Sequence, residues 1–82
     1  MYKNRSDKGL NNISGENIAK YRKLMEKPNS QRALADKLQL LGLDIDKNAV
    51  QRIESGQRFV TDIELKIFAK LFDVTTDILL EE

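Results

Sequence analysis

Residues 46–58 read DKNAVQRIESGQR, and this stretch decides the fold because it predicts a short helix with two chemically different faces. Asp46 is of the residue type that caps helix N-termini, and Gly56 is of the type that ends helices in a left-handed conformation. Val50 and Ile53 lie between them at the spacing of side chains that share one face of a helix. The stretch therefore predicts a helix whose apolar face packs into a core.

The opposite face of this helix carries four hydrogen-bonding side chains, those of Lys47, Asn48, Gln51 and Arg52. Arginine and lysine can donate to guanine in the major groove of DNA, and asparagine and glutamine can pair with adenine. A polar face is also the ordinary solvated side of a surface helix, and the stripe taken alone favours that interpretation. The rest of the chain decides between a DNA-reading face and a solvated face.

Other helix starts are marked by capping residues with an apolar residue one position before and another four positions after them. This pattern occurs at Ser14, Asp46, Thr61 and Thr75, and Ser30 after Pro28 marks a fifth start. The predicted helices span residues 14–26, 31–41, 47–55, 62–72 and 76–80. Their predicted core residues include Leu34, Leu38, Leu41, Ile53, Ile63, Ile67, Phe68, Leu71 and Phe72. We expect an all-α domain of five short helices.

The composition restricts the chemistry that is open to the chain. Its 82 residues allow a single core. The absence of cysteine and histidine removes thiolate nucleophiles, the commonest general base and the commonest metal ligands. The carboxylates, such as those of Glu16, Glu26, Asp36 and Glu64, form no paired or metal-binding pattern. We therefore expect no enzyme activity, no catalytic residue, no cofactor and no metal.

The sequence contains no signal-like segment and no apolar run long enough to span a bilayer, so we expect a cytoplasmic protein without a membrane partner. No pattern points to a small-molecule ligand. The net charge of +1 is unevenly distributed. Basic residues outnumber acidic ones by three to one in residues 1–12 and by nine to six in residues 13–58, whereas acidic residues lead by six to two in residues 59–82. The basic N-terminal part of the chain, residues 1–58, suits contact with a polyanion.

We interpret residues 1–12 as a flexible basic arm, because they are polar and lack periodicity, and residues 13–82 as the folded domain. The order of elements in that domain resembles the phage-repressor and Cro type of helix-turn-helix domain, the XRE family. The resemblance runs from about Ile13 to Leu80, and its landmarks are SQRALADKL, DKNAVQRIESGQR and IELKIFAKLFDVTTDILL. It implies a compact lambda-repressor-like fold whose second and third helices form the helix-turn-helix. It also implies a transcriptional regulator, with a phage or mobile-element repressor favoured, that binds double-stranded DNA sequence-specifically.

The resemblance also implies roles for individual residues. Lys47, Asn48 and Arg52, with Gln51 beside them, match base-reading positions, and Gln31, Gln57 and Arg58 match positions that contact the DNA backbone. A phosphate contact at Gln31 agrees with the partial positive charge of a helix N-terminus. Arg22 and Glu54 match an ion pair that joins the first helix to the end of the third, although an exposed Arg22 is the alternative.

The chain departs from the family pattern at three places. Gln39 stands where the family has a turn glycine, and the sequence LLGLDID then lengthens the connection to the third helix. Pro28 and its neighbours lengthen the link between the first two helices. The carboxylate of Asp46 would face phosphates on docking, so it either accepts a hydrogen bond from cytosine or serves only as a cap.

Several functions remain open at this point. The DNA-binding interpretation covers a phage-type repressor, a restriction-system controller and an antitoxin, and a protein-interaction adaptor with a solvated polar stripe is the alternative outside it. We expect a homodimer on a palindromic operator, because one recognition helix offers too few base contacts to select a single genomic site. Ile78, Leu79 and Leu80 are candidates either for the dimer contact or for the closing edge of the monomer core.

Overall fold

The computed structural model describes residues 9–82, which form five α-helices and no strand. The helices are α1 (Gly15–Leu24), α2 (Gln31–Leu40), α3 (Lys47–Glu54), α4 (Asp62–Phe72) and α5 (Thr76–Leu79). All five predicted helices are present, and the all-α fold is confirmed. Within the described residues, no helix is both long enough and apolar enough to cross a membrane.

Capping side chains start four of the five helices as the sequence predicts. Thr61 and Glu64 form a reciprocal capping box, in which each side chain accepts a hydrogen bond from the backbone of the other. Ser30, Asp46 and Thr75 each accept a hydrogen bond from the backbone N–H three positions later. These local bonds explain why the starts of α2 to α5 agree with the prediction.

The start of α1 differs, because the Ser14 side chain makes no capping hydrogen bond. Asn12 takes that role, and its Oδ1 accepts a hydrogen bond from the backbone N–H of Gly15 at 2.7 Å. Ser14 is buried instead. The prediction of Ser14 as the capping side chain was therefore wrong.

The core lies at the centre of the bundle, and every helix contributes to it. Its fully buried large side chains are Ile18, Leu34, Leu38, Val50, Ile53, Phe68 and Leu79. The rings of Phe68 and Phe72 stack with their centroids 6.2 Å apart, and the centroid of the Tyr21 ring lies 6.0 Å from that of Phe72. The predicted core positions of Ile53 and Phe68 are confirmed.

Two residues that were predicted to face the core do not. Leu41 follows the last residue of α2 and is 40% exposed, because the chain leaves the helical path there. Ile63, in the first turn of α4, is 69% exposed. Its neighbour Glu64 is the buried residue of that turn, where it binds Arg58 and the backbone of Thr61.

The C-terminal end of the predicted flexible arm, residues 1–12, bonds to the folded domain. The backbone N–H of Asn11 donates to the carbonyl of Gly56 at 2.8 Å, and its side-chain amide donates to the carbonyl of Gln57 at 2.8 Å. These bonds fix the segment against the exit of α3, where carbonyl groups lack helical partners. Residues 1–8, which hold the rest of the predicted arm, lie outside the described residues.

Candidate nucleic-acid interface

The polar stripe of α3 is exposed as a unit. Ala49, Val50 and Ile53 turn one side of α3 into the core, while the other side presents Lys47, Asn48, Gln51 and Arg52 to solvent. Within residues 9–82, none of these four side chains has a hydrogen-bond or ion-pair partner. Their donors and acceptors are therefore available to a ligand.

The N-terminus of α3 is held by Asp46. Its Oδ1 accepts a hydrogen bond from the backbone N–H of Ala49 at 2.8 Å, and its carbonyl accepts one from Val50 at 3.1 Å. Of the uses open to this carboxylate, capping is the one that the structure shows. The cap fixes the first turn of α3, which carries Lys47 and Asn48.

The C-terminus of α3 is tied to α1 by the ion pair of Arg22 and Glu54. The Nε of Arg22 lies 2.6 Å from Oε2 of Glu54, and its Nη2 lies 3.1 Å from Oε1. The two side chains are only 13% and 8% exposed. The Nη1 of Arg22 also donates to the carbonyl of Asn29 at 2.8 Å, so one guanidinium joins α1, the loop after it and the end of α3.

Gln31, at the start of α2, belongs to the same cluster. Its Nε2 donates to Oε1 of Glu54 at 3.0 Å, which links the N-terminus of α2 to the C-terminus of α3. Its contact with a phosphate stays a prediction, and the bond to Glu54 uses one of the two N–H groups of the amide. Gln31 is the first residue of α2 and so lies in its N-terminal turn, where a helix favours anions.

Arg58 and Gln57 follow α3 in a loop. Gln57 is exposed, whereas Arg58 forms a bidentate pair with Glu64, with Nη1 to Oε1 at 3.0 Å and Nη2 to Oε2 at 2.9 Å. Glu64 neutralises part of the positive charge that Arg58 would offer to a phosphate. The backbone contacts predicted for Gln57 and Arg58 stay predictions.

Opposing effects set the pKa of Glu64. Burial raises the pKa of this carboxyl. The hydrogen bonds from Arg58 and from the backbone of Thr61 lower the pKa, and together they outweigh burial, so that the pKa lies below the ordinary range. The same hydrogen bond raises the pKa of Arg58 against a smaller opposing effect of burial. Both groups are therefore charged at neutral pH.

A helix-turn-helix family model matches residues 18–79 of the chain, which include most of α1 and all of α2 to α5. The chain belongs to this family. It is a helix-turn-helix domain of the phage-repressor and Cro type, as the sequence resemblance implied, and a DNA-binding domain of the transcription-regulator kind. Comparison with curated proteins and with solved structures gives no significant match. In this helix-turn-helix, α2 is the first helix of the motif and α3 the second.

Two residues that contact α3 and the loop after it were missed by the sequence analysis. Asn12 donates through Nδ2 to the carbonyls of Ile53 at 3.0 Å and of Arg58 at 2.7 Å. Gly15 lies so close to α3 that an added Cβ would overlap the carbonyl oxygen of Ile53. A glycine in the first turn of a predicted helix was the available signal, because close backbone contact is one reason for glycine there.

Proposed function

We propose that the protein is a cytoplasmic, sequence-specific transcriptional repressor that reads its operator with α3 in the major groove of double-stranded DNA. One observation carries the proposal: the exposed face of α3 consists of four hydrogen-bonding side chains that have no partner within the described residues. Lys47 and Arg52 suit guanine, whereas Asn48 and Gln51 suit adenine.

The proposed contacts with the DNA backbone come from Gln31, Gln57 and Arg58. Gln31 opens α2, whose N-terminus attracts an anion, and the other two lie in the loop directly after the recognition helix. Such contacts position the domain without reading sequence. Since Arg58 also binds Glu64, its phosphate contact uses N–H groups outside that pair or replaces the pair on docking.

The proposed functional unit on DNA is a homodimer on a palindromic or nearly palindromic operator. A single α3 presents four reading side chains, and two copies related by a two-fold axis would double the number of base pairs that are read. The structure describes a single chain, and the support for the dimer is this need for selectivity.

Selection of genomic DNA fragments by the purified protein, followed by sequencing, tests the proposal. We expect enrichment of a common motif with symmetric half-sites, and an affinity for it that falls steeply with rising salt, because phosphate contacts displace condensed counterions. The absence of any enriched motif, together with an affinity for DNA that salt does not change, would favour a protein-interaction adaptor.

A further inference from the structure

Gln39 stands in the last turn of α2, at the position where the sequence departs from the turn glycine of the phage-repressor type. Its side-chain Nε2 donates to the backbone carbonyl of Ile45 at 3.0 Å. Ile45 is buried and directly precedes Asp46, the cap of the recognition helix. The residue that departs from the family pattern therefore contacts the segment that leads into α3.

The other bonds of the connection hold its first half. The backbone N–H groups of Leu41 and Leu43 donate to the carbonyl of Leu38, and that of Gly42 donates to the carbonyl of Gln39, each at 3.0 Å. These bonds fold residues 41–43 back onto α2. In the second half, the N–H of Ile45 bonds within the connection, to the carbonyl of Leu43.

The side chain of Gln39 thus supplies the hydrogen bond that fastens the second half of the connection to α2. Among the hydrogen bonds of residues 9–82, no other side chain of α2 reaches residues 44–46. A connection that is longer than the usual turn needs such a bond, because more backbone torsions must be fixed to hold its end in one place.

We propose that Gln39 is a positioning residue for DNA reading, a brace that fixes the direction in which the N-terminus of α3 leaves the connection. Asp46 starts α3 one residue after the braced carbonyl, and Lys47 and Asn48 follow it directly. The inference rests on the proposed function. Base-reading side chains contribute to specificity only when their backbone is held close to the productive geometry, so a loose first turn would lower discrimination.

The test compares Gln39→Met with the wild type. Methionine keeps the length of the side chain and the charge of the protein but has no N–H donor. We expect the affinity for the selected operator to fall roughly fivefold, the equivalent of one hydrogen bond, while the affinity for unrelated duplex DNA stays the same. Leu40→Met is the matched control, because Leu40 is the next residue of α2 and is 86% exposed. It should bind both DNAs as the wild type does.

Amide hydrogen exchange of the DNA-free protein gives a second, independent measurement. In Gln39→Met, the amides of Ala49 and Val50, which are bonded to Asp46, should exchange faster, while those of α4 should not change. A purely structural role would accelerate exchange throughout the domain.

Two results would overturn the inference: operator binding by Gln39→Met that equals the wild type, or an equal loss on operator and unrelated DNA. If the wild type itself preferred no DNA, the proposed function would fail independently. Hydrogen exchange would then still test whether Gln39 braces α3. Faster exchange of Gln39→Met confined to the first turn of α3 would support the brace, and unchanged exchange would overturn it.

Discussion

Arg22 and Glu54 lie 32 positions apart in the sequence and form a bidentate pair that fixes the end of α3 to α1. Gln31 donates to the same carboxylate, so three helices meet at one buried group. The other end of α3 is held by the cap at Asp46. The exposed polar face of α3 is thus carried by a helix that is fastened at both ends, which would reduce the ordering cost of the proposed DNA binding.

Arg22→Ala should destabilise the fold by about 3 kcal/mol, because it leaves the Glu54 carboxylate largely buried without its cation. The free energy of unfolding from urea titration measures the effect. Lys23→Ala, at the next and exposed position of α1, is the control and should change the stability by less than about 0.5 kcal/mol. Equal stability of the Arg22 variant and the wild type would show that the pair is not a structural tie.

Alanine substitutions on the proposed DNA-contacting surface should fall into two groups. Lys47→Ala, Asn48→Ala and Arg52→Ala should each cost about 1 to 3 kcal/mol on the operator and reduce discrimination between sequences. Gln31→Ala and Arg58→Ala should weaken binding to all sequences more evenly, because phosphate contacts carry no sequence information. Affinities for operator and scrambled duplexes at one salt concentration separate the groups. Wild-type binding by the Asn48 and Arg52 variants would refute the assignment of α3 as the reading helix.

The pair of Glu64 and Arg58 should make stability depend on pH in the acid range. The pKa of Glu64 is lower in the folded protein than in the unfolded chain. Its contribution is therefore complete above the ordinary glutamate pKa and is lost as the pH falls through the lower folded value. Glu64→Gln removes this dependence, so the stability advantage of the wild type over the variant should shrink on acidification.

Denaturant titrations of both proteins at neutral and acid pH give that difference. Glu26→Gln, at an exposed position between α1 and α2, is the control for the removal of a carboxylate. An advantage of the wild type that is constant across the acid range would mean that the Glu64 carboxyl titrates alike in the folded and unfolded chains.

The sequence was sufficient to predict the helices because the signals that start them are local. A cap such as Thr61 binds a backbone N–H three positions later, so both partners are visible in one short stretch. Periodicity also located the buried and exposed faces of α3, since Val50 and Ile53 stand at helical spacing.

Contacts across the fold could not be predicted in this way. The bond from Asn12 to the carbonyl of Arg58 spans 46 positions and depends on how α1 packs against the exit of α3. The prediction that Ile63 faces the core was wrong for a related reason. Periodicity assigned the apolar Ile63 to the core, but Arg58 approaches the first turn of α4 and makes Glu64 the buried residue there.

The proposed dimer leads to a prediction about the C-terminal helix. Leu79 is fully buried in the monomer core, so of the apolar residues at the end of α5 only Leu80, at 39%, is substantially exposed. Leu80→Asp should therefore leave binding to one half-site unchanged and weaken the pairing of two chains on a full operator, because a carboxylate at an apolar contact loses hydration without gaining a partner.

Sedimentation of the complex on a short operator fragment counts the chains, and we expect two per duplex at saturation with a symmetric footprint. Leu40→Asp is the control, because it places the same charge at an exposed leucine on α2, distant in sequence from α5. If two chains still pair when Leu80 is replaced by aspartate, α5 does not form the dimer contact, and the proposal of a dimer is unaffected. One chain per duplex with an asymmetric footprint would show that the protein reads DNA as a monomer, because a two-fold site must bind both copies alike.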